Sequence, residues 1–227
     1  MLKIHGVPIS VHTRKVIVAT IMKELPYHNE PVIPFNPPAG WDRLSPTGKI
    51  PVLQDGDLTL ADSSVICAYL DRKHVAHPLL PGDTENHVRA LWLEEYADGT
   101  LYRDVVHPLF YQTFIRPNIL KQETDGTAVE KTLAHALPKV FSYLNEVLGG
   151  AYVAGPVLTI ADIALVSNFV NYQYLGFQLD SKQYPRIVAH FDHAIRHPAI
   201  RTALRMEQPV ATAMGLRREF LAPFLEE

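Results

Sequence analysis

Leu2 and Ile4 alternate with Lys3 and His5, the period of a strand with one buried side. Gly6-Val7-Pro8 ends it. A helix is predicted to begin near Ser10, with Val11, Val18, Ile21, Met22 and Leu25 on one face. Pro26 closes that helix. Val32 and Ile33 are predicted to end a second strand, and Asn36-Pro37-Pro38-Ala39-Gly40 is too rich in Pro and Gly for regular structure. Two apolar runs, Ile50-Pro51-Val52-Leu53 and Leu58-Thr59-Leu60, flank Asp55-Gly56, a strong hairpin signal. A further helix follows, with Val65, Ile66, Tyr69 and Leu70 turned inward. His77-Pro78-Leu79-Leu80-Pro81-Gly82-Asp83 reads as a linker.

From Thr84 onward no convincing strand pattern appears, and the periods are helical. One period runs from Thr84 to about Arg116-Pro117. A second covers 128–148, with Leu133, Leu137, Val140, Phe141 and Leu144 inward. Others cover 160–174, about 184–196 and 198–206, and Pro209 and Pro223 interrupt the helix formers of 209–227. The predicted chain is a small α/β domain over 1–76, a linker over 77–84 and an all-helical domain over 85–227.

Composition narrows the classes. With 47% hydrophobic and 20% charged residues there is enough apolar surface to offset chain entropy, which argues against disorder. A formal net charge of −3 offers no basic surplus for nucleic acid. Cys67 is the single cysteine, so no internal disulfide is expected, and a reducing, cytoplasmic setting fits. No leader-like start is visible, and no run approaches the ~18 apolar residues of a membrane span.

Four local segments carry chemistry. The first is Gly6-Val7-Pro8-Ile9-Ser10-Val11-His12-Thr13-Arg14-Lys15-Val16, a strand-to-helix turn. The second is Ser45-Pro46-Thr47-Gly48-Lys49-Ile50-Pro51-Val52-Leu53. The third is Leu60-Ala61-Asp62-Ser63-Ser64-Val65-Ile66, an acid and a serine at a helix start. The fourth is Leu158-Thr159-Ile160-Ala161-Asp162, a capping-box pattern. Each has a plain structural reading: Ser10, Asp62 and Ser63 as helix caps, Lys49 as a solvated charge and Ile50-Pro51 as a strand start.

Together, in this order, they resemble the cytosolic glutathione transferase family, and the resemblance covers nearly the whole chain. The first segment is similar to that of the serine-type classes (phi, tau, delta and theta). It implies a thioredoxin-like N-terminal domain, an all-α C-terminal domain and glutathione as co-substrate. Ser10 then matches the residue that holds the glutathione sulfur. A hydroxyl at a helix N-terminus favours a thiolate, which is the nucleophilic form of a thiol. The second segment implies a cis Ile50–Pro51 bond, with Ile50 pairing its backbone to the cysteinyl part and Lys49 near the glycyl end. In the third, Asp62 matches the partner of the γ-glutamyl ammonium and Ser63 that of its carboxylate. Thr159 and Asp162 match a structural cap.

The resemblance also implies transfer of glutathione to a small hydrophobic electrophile, with no metal. It implies a homodimer, in which the helix from Asp62 to His74 and the helix from Thr84 onward reach the two-fold axis. Non-catalytic ligand binding and glutathione-dependent disulfide or peroxide reduction stay open as alternatives. No cysteine stands at positions 10–13, which disfavours a reductase using its own thiol. In some bacterial relatives an Asn stands where His12 is and approaches the sulfur, so His12 either meets the thiolate or lines the pocket mouth. Arg103, His107 and Tyr111, at i, i+4 and i+8, are expected to edge the electrophile pocket, with Phe110 and Phe114 in the core. The loop 36–43 offers Asn36, Trp41 and Arg43, and none is assigned to the glycyl carboxylate. Cys67 reads as a buried, inert thiol. His190, His193 and His197 read as a solvated helix face rather than a metal site.

Overall fold

The structure, a computed structural model, describes residues 1–225. β1 (Leu2–His5), α1 (Val11–Met22) and β2 (Tyr27–Glu30) form a unit whose two strands run parallel. β3 (Val52–Asp55) and β4 (Leu58–Leu60) form the antiparallel hairpin, giving the sheet order β2-β1-β3-β4. Gly56 supplies the positive φ, 59°, that the tight turn needs. α3 (Ser63–Lys73) follows directly.

The strand boundaries differ from expectation for a physical reason. β2 stops at Glu30 because Pro31 cannot donate to the ladder. Val32 instead joins Trp41 and Val52 in a small apolar cluster, and Ile33 is exposed. Trp41 heads a single helical turn, α2 (Trp41–Leu44), and donates from Nε1 to the Gly48 carbonyl at 3.2 Å. This loop also covers the end of β1. His5, expected outward, is buried, with Nε2 2.8 Å from Gln54 Oε1 and Nδ1 3.2 Å from Glu30. Val65, expected inward, is 51% exposed on the outer side of α3.

The remaining described residues are helical apart from turns and one isolated bridge between Tyr152 and Gly155. A rod spans residues 84–119, and a second spans 126–147. Both contain widened, π-helical stretches, at Tyr96–Val106, Tyr111–Ile119 and Thr132–Ala136. Each precedes or contains a proline: Pro108, Pro117 and Pro138. A proline lacks the N–H and crowds the carbonyl four residues back, and a wider turn relieves that clash without ending the helix. Helices Ile160–Tyr174, Pro185–Ala194 and Pro198–Met206 follow, close to expectation. Pro209 and Pro223 do not interrupt the C-terminal segment. They sit in the first turns of Gln208–Ala213 and Ala222–Leu225, where a missing N–H costs nothing.

α1 is the junction of the molecule. One side lies on the sheet and α3, and the other packs on the Ile160–Tyr174 and Pro198–Met206 helices. It is therefore buried nearly all round, not on one face, and that includes Arg14 and Lys15. The Arg14 guanidinium forks onto Glu207 (2.8 and 2.9 Å) and also donates to the Ser167 carbonyl, to Asn171 Oδ1 and to the Ile9 carbonyl. Asn171 donates to the same Ile9 carbonyl at 3.1 Å. The peptide just before Ser10 is thus pinned to the helical domain.

Thr159 and Asp162 form the expected capping box. Asp162 does more than cap. It accepts from the Val153 N–H and lies 2.7 Å from His190 Nε2. The histidine row is accordingly solvated only in part: His193 is exposed, His197 is half-buried and His190 departs from expectation. His190 is buried on Asp162, His193 packs edge-on against Tyr152, and His197 caps Ala199.

Candidate active site

Ser10 is the N-cap of α1, but a poor one. Its Oγ accepts from the Thr13 N–H at 3.5 Å, beyond the range of a good hydrogen bond. Its hydroxyl is half-buried at the positive end of the helix, with its proton uncommitted by that contact. The turn that presents it requires Gly6, whose φ is 151°. A Cβ there would lie 2.5 Å from Thr13 Oγ1 and 3.3 Å from Ile50 Cβ.

That spacing also brings the second segment to the first. The Ile50–Pro51 bond is cis, as expected. Ile50 lies beside the Ser10 turn, just before β3 begins. The loop behind it is held by Ser45 Oγ, which donates to the Lys49 carbonyl at 2.7 Å. The Lys49 side chain is exposed.

The third segment is tied in through charge. Asp62 caps α3, with Oδ1 accepting from Ser64 N (2.9 Å) and Val65 N (3.0 Å). Ser63 is buried beside it. Ser64 Oγ donates to Glu94 at 2.6 Å and accepts from Lys15 Nζ at 3.1 Å. Lys15, fully buried, pairs with both Glu94 and Asp98. Burial opposes its charge, but the two carboxylates hold its pKa above the usual lysine value. Burial likewise opposes ionisation of Asp98, yet Lys15 and then His12 outweigh it and hold that carboxyl down at about 2.

The 84–119 rod meets the first turn of α1 at His12. His12 Nδ1 lies 3.6 Å from Asp98 Oδ2, and the His12 ring meets Tyr102 edge-on at 4.6 Å. Tyr102 meets His107 at 5.4 Å, and His107 stacks with Tyr111 at 6.3 Å. Burial, with His12 and Lys49 nearby, holds the His107 imidazole below its ordinary value. Arg103 does not belong to this edge. Its side chain is 70% exposed and paired with Asp104, so the expected row 103, 107 and 111 is corrected to 98, 102, 107 and 111. The cause is the widened helix. The His107 N–H bonds to the Tyr102 carbonyl five residues back, which rotates the face by about a residue. Phe114 is core, and Phe110 packs against it at 5.0 Å. Cys67 is buried, and burial pushes its thiol up to about 12, so it is inert.

Sequence reasoning missed Lys15, Asp98 and Tyr102. Lys15 directly before the apolar run Val16-Ile17-Val18-Ala19 was the available signal, since buried lysines require partners. Among the described residues, no group of three or more His, Cys, Asp or Glu side chains is arranged to hold a metal, and no helix is long and apolar enough to cross a membrane.

A four-stranded thioredoxin-like domain joined to a helical domain, with Ser10 at the junction, is the two-domain architecture of the glutathione transferase fold. Residues 4–78 match the family model for the glutathione S-transferase N-terminal domain, and residues 103–205 match that for the C-terminal domain. The chain belongs to the glutathione transferase family. A probable glutathione S-transferase of Oryza sativa subsp. japonica, GSTF2, is 28% identical over 168 residues, 74% of this chain and 77% of its own. A probable maleylacetoacetate isomerase of Vibrio cholerae is 31% identical over 178 residues, 76% of this chain and 79% of its own. Human glutathione-S-transferase T1-1 in its apo form superposes with a TM-score of 0.82 at 20% identity, covering 100% of this chain and 98% of that one.

Proposed function

We propose that the cleft at the N-terminus of α1 binds glutathione and that Ser10 donates a hydrogen bond to its sulfur. The resulting thiolate attacks a small hydrophobic electrophile held against His12, His107 and Tyr111. The observation that carries this reading is the weakly engaged Ser10 hydroxyl at a helix N-terminus, beside the cis Ile50–Pro51 segment. Attack needs positioning and an ionised sulfur, and no covalent enzyme intermediate. In this reading Ile50 pairs its backbone with the cysteinyl part, Pro51 fixes that geometry and Lys49 lies near the glycyl end. Asp62 takes the γ-glutamyl ammonium, and Ser63 with the α3 N-terminus takes the carboxylate. A panel of electrophiles assayed with glutathione tests the reaction. Turnover no faster than the uncatalysed rate across the panel would refute it.

Asp62→Asn isolates the ammonium contact. Asn caps a helix as well as Asp does, so α3 is preserved while the charge is lost. Glutathione affinity by calorimetry should fall by about 1.5 kcal/mol, roughly tenfold. Unchanged affinity would remove the γ-glutamyl assignment.

A second reading is favoured by the relative named probable maleylacetoacetate isomerase. The same thiolate would add to a conjugated double bond and leave again after rotation, without net consumption of glutathione. Product analysis with a cis-alkene diacid separates the two.

The protein is also proposed to be a homodimer. Val65, Val88, Leu91 and Trp92 are exposed on α3 and the start of the 84–119 rod, and a groove of about 240 Å³ lined by Val65, Ala68, Leu80 and Leu91 lies between them. One such apolar patch serves both copies about a two-fold axis. Light scattering should give about twice 25.5 kDa, and a clean monomer would contradict it.

A further inference from the structure

We propose that His12 accepts the thiol proton of glutathione and that Asp98, clamped by Lys15, is the residue that positions it. This deepens the proposed reaction and rests on it. His12 stands in the first turn of α1, two residues after Ser10, and is 22% exposed where Asp98 is 13% exposed. Its Nδ1 faces Asp98 Oδ2 at 3.6 Å, an ion-pair distance slightly long for a hydrogen bond. Such contacts in unliganded sites often tighten when substrate arrives. With Nδ1 turned to the carboxylate, the tautomer protonated there leaves the Nε2 lone pair on the opposite edge of the ring, free to take a proton.

Three features make this more than a surface contact. Asp98 is fixed by a buried ammonium: Lys15 is itself held by Glu94 and by Ser64, at the start of the helix that Asp62 caps. Asp98 Oδ1 is buried and has no hydrogen-bond partner among the described residues, which leaves the carboxylate acceptor capacity. The imidazole meets Tyr102 edge-on, a contact that favours this orientation of the ring. The charged and titratable groups about His12 are Asp98, Tyr102 and His107 from the 84–119 rod, Lys15 behind Asp98 on α1 and Lys49 beyond His107.

The step balances simply. The S–H bond breaks, its electron pair stays on sulfur, and the proton forms an N–H bond at His12 Nε2. Ser10 then donates to the thiolate while Asp98 faces the imidazolium. The proton later passes to the carbon or leaving group of the electrophile, or to solvent.

His12→Gln keeps a polar side chain of similar reach and removes the basic nitrogen. Thiolate absorbance of bound glutathione against pH should shift upward by about one unit. At pH 7 kcat/KM should fall by up to about tenfold, the largest loss of thiolate that a one-unit rise in the thiol's pKa produces. That loss should vanish as the pH rises above 9, where the thiol ionises unaided. Asp98→Asn should move the titration in the same direction, with Asp98→Glu recovering part of it. Nitrogen NMR should show the wild-type His12 ring gaining a proton with glutathione and not with S-methylglutathione, which has no thiol proton. S-methylglutathione should bind wild type and His12→Gln within about twofold of each other, a difference below about 0.4 kcal/mol. An unmoved titration, a loss that persists above pH 9, or a His12 ring unchanged by glutathione would overturn the inference. If S-methylglutathione fails to bind wild type at all, the glutathione site itself is wrong, and this inference falls with it.

Discussion

Arg14→Ala is expected to destabilise the protein by about 3–5 kcal/mol, because it strands Glu207 as an unpaired buried charge. Arg14 and Glu207 are 1% and 0% exposed, so no water replaces the missing guanidinium. The same substitution removes the guanidinium donor from Asn171 Oδ1 and from the Ser167 and Ile9 carbonyls, of which Ile9 keeps only its bond from Asn171. Against a total stability of 5–15 kcal/mol, typical of single domains, that is a large fraction. Arg14→Lys should recover little, since one ammonium cannot reproduce a planar fork serving five acceptor atoms. Replacing both partners by apolar residues of similar volume should recover most of the loss. Urea unfolding with far-ultraviolet circular dichroism measures all of these. A loss below about 1 kcal/mol for Arg14→Ala would mean that the network is dispensable.

Ser10→Ala should act on chemistry and hardly on folding. The Ser10 cap contact is long, at 3.5 Å, so its removal should cost less than about 1 kcal/mol of stability. Loss of a hydrogen bond to the thiolate should cost about 1.5–3 kcal/mol, one to two units in the pKa of the bound thiol. Turnover at pH 7 should fall roughly tenfold or more, while glutathione affinity, set by the tripeptide's other contacts, stays within a few-fold. Full activity in Ser10→Ala would reduce Ser10 to a helix cap and leave His12 and Thr13 as the sulfur's neighbours.

Much of this architecture is legible in the chain because it is written locally. A two-residue alternation, Asp-Gly in a hairpin, and Ser10, Asp62 and Thr159 at helix starts depend on residues a few positions apart. What could not be read depends on distance or on backbone detail. Arg14 meets Glu207 across 193 positions, and periodicity carries no information about such a partner. The displaced row on the 84–119 rod follows from the turns widened before Pro108, which shift each later side chain around the axis. Tyr102, rather than Arg103, therefore sits beside the His107 ring. His190 was misread because helical spacing reports which residues share a face but not what covers that face.

The state of the bound sulfur tests the central claim most directly. Thiolate absorbance of glutathione bound to the wild-type protein, followed from pH 5 to pH 9, should show an inflection at least about one unit below the 8.5 of a free thiol. An inflection at the free value, with glutathione demonstrably bound, would contradict an active site built around Ser10.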